Sequence, residues 1–342
     1  MRLVGQIHVT QKGETIRRDP SFWEKIKQKL GGTINLETDR VKVALEASAL
    51  VDAIKRALLR LGFDNAVSLV IDDTVVFQDM DGRAGDLPDL MLAMSEHASL
   101  FGSGFRELKL ALEHEEAGLH LLVETRAFTE HRASEPSAYV SVGGRVTELE
   151  PKRGESGDEY RARVTPLITD TTRLDGAKAQ FEAFMARLEY ALRAAMPEAN
   201  VEQMRAEARV VKASDKTERE PPRSPASPGY DPYVHYYPSP MGLMLDMMLI
   251  SSFMHMIHPP MIHVVHPSGA PLGTAQDVAQ NPDLTEAPDP GDASGDNGGG
   301  GDDFGGGDDF GGGDDFGGGD GGDFGGGGDF GGGGDFGGGG DF

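Results

Sequence analysis

The residues best equipped for chemistry crowd into one short stretch. His255, His258, His263 and His266 fall close together, and seven of the fourteen methionines lie between Met241 and Met261. Thioether and imidazole ligands together suit Cu(I), and imidazoles alone suit Zn(II), Ni(II) or Cu(II), so a metal-handling site on these four histidines is one reading. No CxxC or HExxH pattern fixes a geometry, and Pro259–Pro260 breaks any helical spacing between the ligands. Two other groupings invite an acid–base reading. The run "EHEE" (113–116) stacks carboxylates around His114, but its place at a turn between two alternating segments predicts a solvated hairpin tip. His120, Glu124 and Arg126 share one strand face at period two. They could line a polar site, although the wet face of a half-exposed sheet has the same composition.

Signatures for nucleophilic catalysis, phosphate cradling or metalloprotease chemistry are not found in the sequence. "GSGF" (102–105) and "GG" (143–144) lack the strand–helix flanks and the Lys of a phosphate loop, and read as turns. The expectation is therefore a non-enzymatic protein with no required cofactor.

The C-terminus raises a different possibility. The last 42 residues consist of 24 Gly, 11 Asp and 7 Phe. Phe304, Phe310, Phe316, Phe324, Phe330, Phe336 and Phe342 each follow an Asp and recur every six residues, with one gap of eight. So glycine-rich a backbone is too costly to order for the burial of seven rings, which predicts a disordered string of weak apolar contacts kept soluble by like charge. Seven such contacts on one chain raise each other's effective concentration, so protein partners are expected to bind multivalently. Phe342 also carries the terminal carboxylate, beside Asp341, and a C-terminus-capturing pocket would recognise it. The Phe-Gly spacing resembles the FG-repeat segments of nuclear pore proteins. The acidic, Gly-rich spacer ending in Phe is similar to the C-terminal tails of bacterial single-stranded DNA-binding proteins, which dock other proteins. Both resemblances cover the tail alone.

Charge sharpens the division. The chain has 342 residues and a formal net charge of −24. Residues 269–342 hold 17 acids and no base, leaving 39 acids against 32 bases, or −7, for the rest. The acidic tail repels phosphate, so direct nucleic-acid binding is not expected. There is no cysteine, which removes disulfides and thiolate chemistry. The N-terminus shows no apolar signal region, and the expected location is cytoplasmic.

Hydrophobic periodicity places an α+β domain over residues 1–212. Leu3–Thr10 alternates as a strand, and Ser21–Leu30 has the spacing of a short helix. Leu50, Ile54, Leu58 and Leu61 mark a helix stopped by Gly62. A hairpin is expected about Asp72–Thr74, and a helix after Asp86. Residues 107–116, 119–127, "AYVSVGGRV" and "EYRARVTPL" alternate as an antiparallel meander of about four strands, covered by a helix from about Leu174 to Met196.

Beyond this, Pro/Ser-rich residues 213–240 read as a linker and residues 241–268 as an apolar Met/His-rich segment. The segment Met241–Ile257 is short for a bilayer-spanning helix and contains Asp246. Met244, Met247, Met248 and Phe253 suit self-association into a homo-oligomer, because methionine adapts to varied apolar surfaces. Peripheral membrane contact through residues 241–265 is the alternative. The whole reads as a scaffold or adaptor: a folded module, a self-association segment and a partner-binding tail.

Overall fold

The computed structural model describes residues 1–11, 36–80, 85–102, 104–130, 135–212 and 222–281. The helix expected at Ser21–Leu30 and the whole Asp-Phe repeat lie outside the described residues.

The centre is a nine-stranded sheet of order β3-β2-β4-β5-β6-β1-β7-β8-β9. Its strands are β1 (Arg2–Gln11), β2 (Asn65–Ile71), β3 (Thr74–Gln78), β4 (Glu107–Glu116), β5 (Leu119–Phe128), β6 (Ala138–Val146), β7 (Ala199–Val211), β8 (His263–Val265) and β9 (Pro271–Thr274). All neighbours are antiparallel except β7 and β8. The sheet is thus mixed and larger than the expected four-strand meander. Only β4, β5 and β6 form a consecutive up-and-down run. The β4–β5 hairpin turns at Ala117 and Gly118, both with positive φ, a turn that matches the right-handed twist of paired strands.

The fourth expected meander strand, "EYRARVTPL", is a helix. Among the helices α1 (Leu36–Arg60), α2 (Leu87–Glu96), α3 (Ala98–Gly102) and α4 (Gly157–Ile168), it belongs to α4. Tyr160, Val164 and Ile168 recur every four residues and are buried, and Ser156 and Glu159 close a capping box that starts the helix. Alternation of Tyr160, Ala162 and Val164 imitates a strand, but the cap and the i, i+4 burial decide for the helix.

One face of the sheet carries the apolar core. Helix α1 and α5 (Thr171–Ala195) pack on each other and on this face, with Leu50, Ile54 and Leu58 from α1 and Phe181, Phe184, Met185, Leu188 and Leu192 from α5 buried there. They meet Leu3, Ile7, Leu110, Leu121, Val123 and Val140 from the strands. Gly5 of β1 lets helix α5 approach closely: a Cβ there would lie 2.4 Å from the Met185 sulfur and would push that side chain aside.

The chain does not leave this body after residue 212. Helix α6 (Pro232–Tyr236), α7 (Pro240–Phe253), β8, β9 and α8 (Ala275–Gln280) continue it. The α7 residues Leu245, Leu249 and Phe253 join the main core, and α7 packs on α4, β7 and α8. Asp246, 1% exposed within this apolar helix, is held by Arg2 of β1 at 2.8 and 2.9 Å. No helix among the described residues is long and apolar enough to cross a membrane.

Removing one member of a buried ion pair costs about 3–5 kcal/mol because the other is left unpartnered. Asp246→Ala is therefore expected to lower the unfolding free energy by roughly that amount, read as a lower urea midpoint at unchanged m-value. A change under about 1 kcal/mol would mean that Arg2 does not depend on Asp246.

Candidate functional site: a tyrosine strap on the polar sheet face

The second face of the sheet is not wet. Alternation turns Gln6 and His8 of β1, Glu107, Lys109, Ala111 and Glu113 of β4, and His120, Leu122, Glu124 and Arg126 of β5 away from the helices. Residues 222–237, including α6, lie across β5 and β6 on this face as a strap. Four of the chain's seven tyrosines are in it: Tyr230, Tyr233, Tyr236 and Tyr237.

Each of these phenols donates to a carboxylate of the body. Tyr230 and Tyr236 take the two oxygens of Glu124, the latter at 2.9 Å. Tyr233 donates to Glu150, and its oxygen lies 2.8 Å from His120 Nδ1. Tyr237 donates to Glu113. Rings therefore cover the sheet while hydroxyls satisfy charges that have lost their water, the use to which a buried tyrosine is suited.

His120 is the hub. Its Nε2 lies 3.0 Å from Glu113 and its Nδ1 3.6 Å from Glu150. Burial favours the neutral ring, but the hydrogen bonds and charges of both glutamates outweigh it and raise the imidazole to about 9. His120 is thus a cation at neutral pH. Burial pushes Glu113 and Glu150 the other way, yet the bonds from His120, Tyr237 and Tyr233 hold both below the usual glutamate value. Asn65 adds a 2.5 Å bond to Glu113.

A second set of contacts grips the strap backbone. Arg145 pairs with buried Asp231 at 2.7 Å and stands 4.3 Å above the Tyr233 ring, a cation–π contact. Arg209, 2% exposed, donates to the carbonyls of Pro228, Gly229 and Tyr230, and Arg205 to those of Pro228 and Tyr230. Burial is the largest influence on Arg209 and lowers it to about 10, still a cation at neutral pH. Gln6 donates to the Pro225 carbonyl at 2.5 Å and Arg126 to that of Arg223 at 2.7 Å. The strap presses on the sheet backbone at Gly143, where a Cβ would meet Tyr233 Cβ at 2.7 Å and Asp231 Oδ1 at 2.8 Å.

The residues singled out from sequence are distributed as follows. His120, Glu124 and Arg126 do share a face, and it is the strap's seat. His114 points to the helix side and rests against Phe63, with ring centroids 5.3 Å apart, so it is not at the solvated hairpin tip. His255, His258 and His263 are exposed, and His266 turns back on Ser268 at 2.9 Å. Among the described residues no three His, Cys, Asp or Glu converge in a group able to hold a metal ion. Phe253 is buried in its own core, Met244 and Met248 are half-buried against it, and Met247 is 50% exposed. Phe304, Phe310, Phe316, Phe324, Phe330, Phe336, Asp341 and Phe342 lie outside the described residues.

The strap escaped the sequence reading because its prolines and serines look like a linker. The signal against that was four tyrosines within eight residues, more ring area than a solvated linker carries. The chain matches no protein-family model, no curated protein and no solved structure, so the site is read from its own residues.

The raised His120 predicts a pH dependence of definite sign. Its stabilisation is complete below the ordinary histidine value of 6.5 and is lost as pH rises through about 9. That of Glu113 and Glu150 is present above 4.5 and lost as pH falls through their lowered values. The difference in unfolding free energy between the unaltered protein and His120→Gln, which isolates the His120 contribution, should then be constant between about pH 5 and 6.5 and shrink towards pH 9. Histidine NMR titration checks the assignment directly, and a His120 midpoint near 6.5 would contradict it.

Proposed function

We propose that this protein is a non-enzymatic adaptor. The folded body anchors an acidic Asp-Phe repeat that contacts protein partners multivalently, and the exposed part of the Met-rich segment promotes self-association. What supports the body's role as an anchor is the state of the acid–base cluster around His120. His120, Glu113, Glu150 and Glu124 are each engaged by other side chains under the strap, and a general acid or base needs a free approach to its substrate. The case for the tail rests on the segregation of 17 acids and seven evenly spaced rings beyond residue 268.

Peripheral membrane contact remains as a second reading, favoured by one observation. Leu243 and Met247 are exposed along α7, and Met254, Ile257 and Met261 beyond its end are exposed as well. Flotation with anionic and neutral vesicles separates the two readings, since self-association predicts no flotation and a concentration-dependent mass.

If the rings carry partner binding, the captured amount should fall in steps as Phe304, Phe316 and then all seven are changed to Ser in full-length protein. Phe342→Ser alone should cost no more than Phe304→Ser alone. Undiminished capture by the sevenfold variant would overturn the adaptor reading. A large loss confined to Phe342 would replace multivalency by C-terminus docking.

A further inference from the structure

We infer that the polar sheet face is a peptide-docking surface which residues 222–237 occupy in cis, and that it takes in trans a peptide of the same chemistry: proline- and tyrosine-rich, with one buried aspartate. This goes beyond the adaptor reading and does not depend on the tail.

The first support is the manner of attachment. The strap joins no strand of the sheet. It is held as a bound peptide is held: guanidinium and amide side chains take its carbonyls at Pro225, Pro228, Gly229 and Tyr230, Arg145 takes its aspartate, and glutamates take its phenols. Every one of those receptor groups belongs to residues 1–212.

A second support is unused capacity. Among the described residues Ser141 Oγ, Arg205 Nε, Arg209 Nε and Asn65 Oδ1 are buried on this face with no hydrogen-bond partner. Arg209 and Ser141 are 2% and 1% exposed. A permanent cover is expected to satisfy such atoms, because each orphan costs free energy.

The third is energetic. Apolar burial under the strap is modest: a small cluster of Val67, Ala111, Leu122 and Tyr233, with Tyr236 and Tyr237 packed at its side, and the buried Tyr230 and Pro232. The remaining contacts exchange hydration for buried ion pairs and charged hydrogen bonds, which roughly break even. Such a segment is specific in where it sits and cheap to displace.

The test uses full-length protein and a labelled synthetic peptide of residues 222–237, read by fluorescence anisotropy. Tyr233→Phe combined with Tyr237→Phe removes two strap hydroxyls, and with them the contacts to Glu150, His120 and Glu113, while leaving the receptor side chains and ring packing in place. An occupied site lowers apparent affinity by the fraction of vacant molecules, so this variant should bind the peptide at least about tenfold more tightly than the unaltered protein. An Asp231→Ala peptide should lose binding, and Gly143→Val added to the variant should block it. If the double variant fails to fold, by near-ultraviolet circular dichroism, Tyr237→Phe alone takes its place with the same readout. A folded variant that does not bind the peptide, or binds a scrambled one equally well, overturns the inference. So does one indifferent to Gly143→Val.

Discussion

Taking a charge out of water costs several kcal/mol unless a partner stands where the water stood. This chain buries Glu124, Arg209, Asp231 and Asp246 nearly completely, and the rest of its architecture answers that cost. Asp246 brings Arg2 to α7 and so ties a late helix to the first strand. Asp231 answers Arg145, and Glu124 is answered by two phenols. Glu124 and Arg209 could not have been buried by the sheet alone, because Glu113, Arg126 and Arg205 on the same face are themselves charged. A covering segment able to supply both ring area and hydrogen-bond donors was required, and tyrosine does both.

The two faces of the sheet therefore obey different rules. On the helix side, Phe181, Phe184, Leu188 and their strand partners interlock by volume, and Gly5 marks how close the helix comes. On the strap side the fit is by hydrogen-bond pairing, with Gly143 as the corresponding close approach. The first face makes a stable body out of mostly local helix and hairpin signals. The second decides which peptide lies on it.

Legibility in the sequence follows the same division. Helices α1 and α5, the β2–β3 and β4–β5 hairpins and β1 were readable, because each buries a stripe whose period is set by its own backbone. Helix α4 imitated a strand over five residues until its capping box settled the matter. His120, Glu124 and Arg126 were visible as a shared face. Their partners were not, because Tyr230 and Tyr233 stand more than a hundred residues away in a stretch whose local composition argues for solvent. Pairing across that distance leaves no periodic trace.

The position of β1 has a consequence for how the molecule comes to be made. It lies between β6 and β7, so this early strand completes its ladder only when residues 138–146 and 199–211 have arrived. Such long-range closure slows folding, because the chain must lose loop entropy before the contacts that reward it exist. A growing chain that has reached β6 presents the free edge of β1 in what will become the middle of the sheet, and free edges invite pairing with other chains. The risk ends with β7. Only afterwards can the strap find a finished face to lie on.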